Sequence, residues 1–380
     1  MAIGFQELQL DKDAYAGQYL RESAKFVECQ EKWRVAVTAS VKKVNGKLVK
    51  IGEERLVGIY ILVFAISDIL DDIKGVQSAQ IGVGILGYIG NKGAVAIRLK
   101  INEAYLCFVC THLAAHQNEI EKRNRHFRLI MNNLKFKGIQ DEEWFARQTH
   151  VIWVGDLNYR LDLDNDSVRS LVKEANYDTL LKHDQLAKVK LRGEAFHQFR
   201  EADITFPPTY KFNPGSSEYD TSPKNRIPAW TDRILYHAKC WDDIRPVSYM
   251  SHSAILFSDH KPVSATFNVT VPVKNETNFR QVQREVIAEV DKNENELLPA
   301  ISLSTQHVDF GPIGFDQSVV RNIRLQNTGK VPALYQIKDA RESLLNRPGE
   351  SKQLLGDMGI HITPTKVSAT FEDKKQVICL

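Results

Sequence analysis

A chain of 380 residues with 43% hydrophobic side chains exceeds one typical domain and can bury a substantial core, while a net charge of +3 is small for a protein that grips a nucleic-acid backbone. Five cysteines, an odd number, give no disulfide framework and point to a reducing compartment; Cys107 and Cys110 are spaced like a ligand pair but lie in an apolar strand pattern and read as core. Residues 1–10 lack both a basic leader and an apolar run of signal length, Val57 to Ile66 is about half a membrane span, and Cys379 is misplaced for prenylation, so a soluble, cytoplasmic protein is expected.

In chain order, Gly4-Phe5-Gln6-Glu7 is an apolar start ending in an acid. The amphipathic stretch Asp13 to Trp33 predicts a helix burying Tyr19, Phe26 and Trp33. Strands are expected over Leu48 to Ile66, Gln77 to Ile85, Ala94 to Ile101 and Ala104 to Cys110, the last running out into Thr111-His112-Leu113, with a helix from about His116 to Leu134. Gly82, Gly84, Gly87, Gly90 and Gly93 form a glycine-rich loop whose spacing does not make a dinucleotide fingerprint. The run Val151 to Val154 ends abruptly in Gly155-Asp156-Leu157-Asn158, either a site or a solvated turn before a helix near Asp164 to Lys173. Ser258-Asp259-His260 stands before the alternating strand Val263 to Val271. Beyond Val273, Asn275 to Asn295 is polar and reads as a helical linker, and Ala300 to Phe310, Ser318 to Gln326 and Val331 to Ile337 are short strands between turn signals, the pattern of a β-sandwich.

Strand ends carrying Glu7, His112, Asp156 with Asn158, and Asp259 with His260 suit metal-assisted hydrolysis of a phosphate ester. A hard cation such as Mg²⁺ needs one or two carboxylates plus substrate phosphate, a role for Glu7. A second carboxylate, Asp156, can take the proton of the attacking water while Asn158 donates to phosphoryl oxygens; two apart on extended backbone, they would face one side. His112 and His260 can meet the developing negative charge, with Asp259 or another carboxylate fixing the imidazole tautomer.

Gly-Phe-Gln-Glu (4–7), Gly-Asn-Lys-Gly (90–93), Thr-His-Leu-Ala-Ala-His (111–116), Gly-Asp-Leu-Asn-Tyr-Arg (155–160), Pro-Ala-Trp-Thr-Asp-Arg (228–233) and Ser-Asp-His-Lys-Pro-Val (258–263) stand in the order seen in inositol polyphosphate 5-phosphatases. Over residues 1 to about 270 the chain resembles the type II branch of that family, the group containing the oculocerebrorenal (Lowe) syndrome protein. The resemblance implies a four-layered α/β/β/α sandwich of the endonuclease/exonuclease/phosphatase superfamily over 1–273, a helical linker over 274–299, and an all-β, immunoglobulin-like ASH-type sandwich over 300–380, the last on Val308-Asp309-Phe310-Gly311 with Asn327-Thr328-Gly329. The implied activity is Mg²⁺-dependent removal of the 5-phosphate from phosphoinositides.

By motif, Glu7 matches the metal ligand, Asp156 the group that activates water, Asn158, His112 and His260 the groups at the scissile phosphate, and Asp232 and Asp259 supporting carboxylates. Lys92 matches a substrate-binding position; Tyr210, Lys211, Lys224 and Arg226 match positions that recognise the neighbouring 4-phosphate. Thr231 replaces a frequent cysteine, with no effect on chemistry expected. Ile85, Leu86, Tyr88 and Ile89 would form a loop tip facing the bilayer, with burial in the core as the alternative. Implied partners are phosphoinositide lipids and, through the ASH region, a Rab-type small GTPase, but no nucleic acid; implied residence is peripheral, on endosomal, Golgi or plasma membranes. In the family a strand bearing Thr-Trp-Asn, whose Asn is a second metal contact, precedes Phe-Gln-Glu; here Met1 falls directly before the later segment, so that strand is expected to be missing, and the sandwich is expected to be cut short at Leu380. A nuclease of the same superfamily and a catalytically silent trafficking module are the alternatives.

Overall fold

A computed structural model describes residues 1–8, 24–84, 92–137, 144–312, 314, 317, 319–336, 366–369 and 376–379. They fall into two units, Met1–Lys274 and Asn275–Leu380.

The first unit stacks two sheets between helices. β1 (Ala2–Phe5), β2 (Leu48–Leu56) and β3 (Ile59–Ile66) form one antiparallel sheet, with β3 in the middle. The single strand expected over 48–66 is thus a hairpin: the apolar run hid a reversal at Val57, whose φ of 51° is unusual for a β-branched residue. A six-stranded sheet contains β4 (Ile73–Gly82), β5 (Gly93–Ile101), β6 (Ala104–His112), β7 (His150–Asp156), β8 (Arg200–Glu201) and β9 (Asp232–Ala238), in the order β4-β5-β6-β7-β9-β8. Only β6 and β7 run parallel, and the crossover such a pair requires carries the helix Ile120–Asn133. A hairpin of β10 (Ile244–Ser251) and β11 (Val263–Val269) completes the unit.

Alternation along the strands sorts the layers. Leu56, Ile59, Ile61 and Val63 meet Val95, Ile97 and Cys110 between the sheets. On the same face of the large sheet, Ile152, Ile234 and Tyr236 pack against Tyr249 and the partly buried Val263, Ala265 and Phe267 of the β10-β11 hairpin. Its opposite face, with Val109, Val151, Trp153 and Leu235, is covered by Phe127 and Ile130 of the crossover helix. Tyr60, Leu62 and Phe64, on the outer face of β3, take Val41, with Trp33 and Val37 packed alongside. That helix spans Ala24–Val44, so it continues a further eleven residues past the Trp33 expected to end it, and Tyr19 lies outside the described residues. The layers of the first unit run α/β/β/α. At roughly 1.5–3 kcal/mol for each large aliphatic side chain removed from water, burial on both faces of the large sheet is the main stabilising contribution in the unit.

In the second unit, Asn275 caps the helix Glu276–Glu296 by accepting from the Asn278 amide, and none of the helix is buried. β12 (Ile301–Leu303), β13 (Asn322–Asn327) and β16 (Gln376–Cys379) form one antiparallel sheet, and β14 (Ala333–Gln336) and β15 (Lys366–Ala369) form another. Among the described residues no helix is long and apolar enough to cross a membrane.

Candidate active site

The register of three neighbouring strands places a row of polar residues at one edge of the large sheet. Gly93 pairs with His112, His112 with Asp156, and Asp156 with Asp232. β6 and β7 can approach this closely because position 155 is glycine: with φ of +137°, a Cβ there would lie 2.1 Å from the Thr111 carbonyl oxygen.

Asp156 is 5% exposed, so the turn reading with a solvated carboxylate fails. Its Oδ2 lies 3.2 Å from His112 Nε2, which Lys92 Nζ also contacts, and Glu7 Oε1 stands 3.8 Å from the same nitrogen. Burial would raise the Asp156 pKa, but the hydrogen bond and charge of His112, with the charges of His260 and Lys92, hold it well below the usual carboxylate range. Burial lowers the Lys92 pKa, against the pull of Asp156 and Glu7.

Asn158 reaches Asp156 by a different route from the one expected. β7 ends at Asp156, and Asn158 sits in the left-handed region at φ 59°. Its backbone N–H donates to Asp156 Oδ1 at 3.0 Å and its Nδ2 to Asp156 Oδ2 at 2.9 Å, so a turn rather than an extended pleat brings the two together. Nδ2 also donates to the Leu113 carbonyl at 3.2 Å, which engages both amide hydrogens, while Oδ1 accepts from Arg160 Nη2 at 2.5 Å. Arg160, which closes the Gly-Asp-Leu-Asn-Tyr-Arg motif and had no role assigned from sequence, is buried and lies 4.2 Å over the Tyr210 ring.

A second pair faces the first. His260 Nδ1 is 2.7 Å from Asp232 Oδ2, and Tyr210 stacks on the imidazole with ring centroids 4.7 Å apart. Burial lowers the His260 pKa, but the charge and hydrogen bond of Asp232 raise it to about 10, with help from Asp156 and Asp259. The carboxylate that fixes the tautomer is therefore Asp232; Asp259, next to His260 in sequence, instead pairs with Lys211 Nζ at 3.0 Å. Thr231 also touches the pair, its hydroxyl donating to Asp232 Oδ2 at 2.9 Å.

Lys224 is exposed and Arg226 half-buried, and neither side chain has an ion pair among the described residues. Ile85, Leu86, Tyr88 and Ile89 lie outside the described residues. Glu7, expected as the metal ligand, has its side chain 61% exposed and stands beside His112 at the end of the row. Among the described residues there is no group of three or more His, Cys, Asp or Glu side chains placed to hold a metal ion by themselves.

The model of the family described as "Endonuclease/Exonuclease/phosphatase family 2" matches residues 1–266. The chain is 37% identical over 352 residues to the type II inositol 1,4,5-trisphosphate 5-phosphatase of Mus musculus, covering 92% of this chain and 34% of the relative. It is 33% identical to synaptojanin-1 of Mus musculus, covering 86% of this chain and 21% of the relative, so it spans about a third and a fifth of these curated proteins. Among solved structures, the inositol polyphosphate 5-phosphatase domain of SPsynaptojanin in complex with inositol (1,4)-bisphosphate and calcium ion superposes with a TM-score of 0.63 at 32% identity, covering 78% of this chain and 82% of that one. A Cimex nitrophorin in its ferrous NO complex, with a TM-score of 0.52 at 24% identity and coverage of 71% and 86%, shares the fold alone. On the family match over most of its length, the chain belongs to the endonuclease/exonuclease/phosphatase family 2.

Proposed function

We propose that this chain is a phosphoinositide 5-phosphatase, a phosphoric monoester hydrolase acting on lipids such as phosphatidylinositol 4,5-bisphosphate and on soluble inositol polyphosphates. The observation that carries the reading is the pairing of His112 with Asp156 and of Asp232 with His260 along one sheet edge, in a chain whose relatives are named as 5-phosphatases. Water attacks phosphorus, the bond to the inositol oxygen breaks, and that oxygen leaves with the electron pair and gains a proton. Asp156, anionic at neutral pH, orients the water and accepts its proton. A loose phosphoryl transition state asks more of positioning than of basicity, so a weakly basic carboxylate suffices.

His260 is protonated at neutral pH, with Nδ1–H on Asp232 and Nε2–H without a partner among the described residues, available for a phosphoryl oxygen. Asn158, with both amide hydrogens committed, serves in this state by holding Asp156, while His112 and Lys92 offer donors from the opposite side. Glu7 would hold Mg²⁺, which when bound supplies Lewis-acid polarisation of the phosphate. Tyr210, Lys211, Lys224 and Arg226 would meet the 4-phosphate, Arg as a fork and Lys as a point charge.

The ordered motifs and the identity to the type II enzyme support the type II branch. The two small sheets beyond residue 300 support an ASH-type immunoglobulin-like sandwich, as a surface for a Rab-type GTPase on endosomal, Golgi or plasma membranes. The test is phosphate release from vesicles containing phosphatidylinositol 4,5-bisphosphate, with Mg²⁺ and with EDTA. Asp156→Ala should lower the rate by at least ~100-fold, since single groups of this kind contribute several kcal/mol. Release that is unchanged in the variant, or cleavage of DNA in place of phosphate release, would overturn the reading.

A further inference from the structure

The segment bearing Lys224 and Arg226 is a loop, yet it is held at both ends and in the middle by side chains outside the catalytic row. Asp220, 2% exposed, accepts from the Ser222 N–H at 3.0 Å through Oδ1 and from the Arg226 N–H at 2.8 Å through Oδ2, so one buried carboxylate closes the loop on itself. Burial pushes the Asp220 carboxyl up, and these N–H donors bring it down below its ordinary value, so it stays ionised. Asn225, between the two cations, has φ of 40° and turns the chain there.

The helix Asn165–Lys173 supplies the rest of the grip. Arg169 Nη2 donates to the Asp220 carbonyl at 2.7 Å and to Asn225 Oδ1 at 3.2 Å, and its Nε donates to Asn165 Oδ1 at 2.5 Å. Asn165 Nδ2 in turn donates to the Asn225 carbonyl at 2.6 Å. The loop is also tied to the site: the Asp220 N–H donates to the Lys211 carbonyl at 2.8 Å, next to Tyr210 on the His260 ring.

We infer that Arg169, with Asn165, is a specificity-positioning residue: it fixes the Asp220–Arg226 loop that carries Lys224 and Arg226, two cations with no ion pair among the described residues, and so sets the preference for substrates bearing a phosphate beside the scissile one. The inference rests on the 5-phosphatase reading. Arg169 itself does not touch substrate. Two long cationic side chains on an unrestrained loop would give up conformational freedom on binding an anion, and a prefixed loop has already lost part of it. The preference should therefore reside in KM for substrates with the adjacent phosphate and not in the rate of the chemical step.

The experiment compares a soluble inositol phosphate carrying the 4- and 5-phosphates with one carrying the 5-phosphate alone, in Arg169→Met, Arg169→Lys, Asn165→Ala and Lys224→Ala/Arg226→Ala variants of the 380-residue chain. Arg169→Met, which keeps the stem and loses every donor, should raise KM for the first substrate by about fivefold or more with kcat within about twofold, and leave the second substrate unchanged. Arg169→Lys, which keeps a donor for the two Nη2 acceptors, should restore most of the preference, and Asn165→Ala should lose part of it without touching the Asp220 contact. Equal losses on both substrates, or an unchanged preference in Arg169→Met and Asn165→Ala while the double cation variant loses it, would overturn the inference alone. An unchanged preference in the double cation variant would instead remove the 4-phosphate reading on which the inference depends.

Discussion

Replacing Asp232 by Asn keeps the shape of the side chain and removes the charge that holds His260 protonated. Burial pushes this imidazole down; the Asp232 charge and hydrogen bond are the two largest opposing influences, and the balance stands at about 10. Against an ordinary histidine near 6.5, that balance is worth about 5 kcal/mol in favour of the imidazolium. With Asn at 232, burial is opposed only by the carboxylates of Asp156 and Asp259, and His260 should lose its proton at or below about pH 7. Because the protonated form is the donor, the wild-type rate should hold through neutral pH and fall only as pH rises through about 10, whereas the variant should already fall between about pH 6 and pH 7. Initial rates of phosphate release from a soluble substrate would then differ by roughly tenfold or more at about pH 8 and converge toward about pH 5.5. Stability follows the same linkage: a raised folded-state pKa contributes fully below about 6.5 and is lost as pH rises through about 10, so the wild-type denaturation midpoint should decline across that window and the variant should lack that decline. A variant that keeps the wild-type rate profile, or falls by one factor at every pH, would refute this account of His260.

Gly155→Ala should cost at least ~3 kcal/mol or abolish soluble expression, since its Cβ would meet the Thr111 carbonyl at 2.1 Å in a left-handed backbone; an unchanged urea midpoint would show that the strands can part. Arg233 forks between buried Asp184 and partly buried Glu201, so Arg233→Met leaves both carboxylates without their cation and should lower stability by about 3–5 kcal/mol, read by chemical denaturation. If the loop at 85–91 faces lipid, Leu86→Ser with Ile89→Ser should reduce activity on vesicles and spare soluble substrates; parallel loss on both would return those residues to the core.

The strand ends were legible because a β-branched or apolar run that stops on an acid or a histidine is unusual, and His112 and Asp156 lie where those runs stop. What pairs with what was less legible. Asp259 and His260 adjoin in sequence, but the imidazole takes Asp232, 28 residues earlier at the start of β9, and Asp259 takes Lys211. Spacing suggested that Asp156 and Asn158 share a face, and they do meet, but through a left-handed turn that period-2 reasoning does not contain. Arg160 and Arg233 end two of the motifs but had no role assigned, because a basic residue in a polar stretch reads as solvated until the fold buries it, and the 48–66 hairpin was hidden because its reversal at Val57 adjoins the apolar run Ile59 to Ile66 with only Gly58 beside it as a turn signal.

His112, Asp156 and Asp232 share one row of the hydrogen-bond ladder, so their alignment is counted in whole residues. Deleting or inserting one residue inside β6, β7 or β9 would move that strand's site residue by one position along the sheet and turn its side chain to the opposite face. The site therefore has no partly shifted form along the strands: a change of length is tolerable in the connections, whereas within these three strands it would take a site residue out of the row.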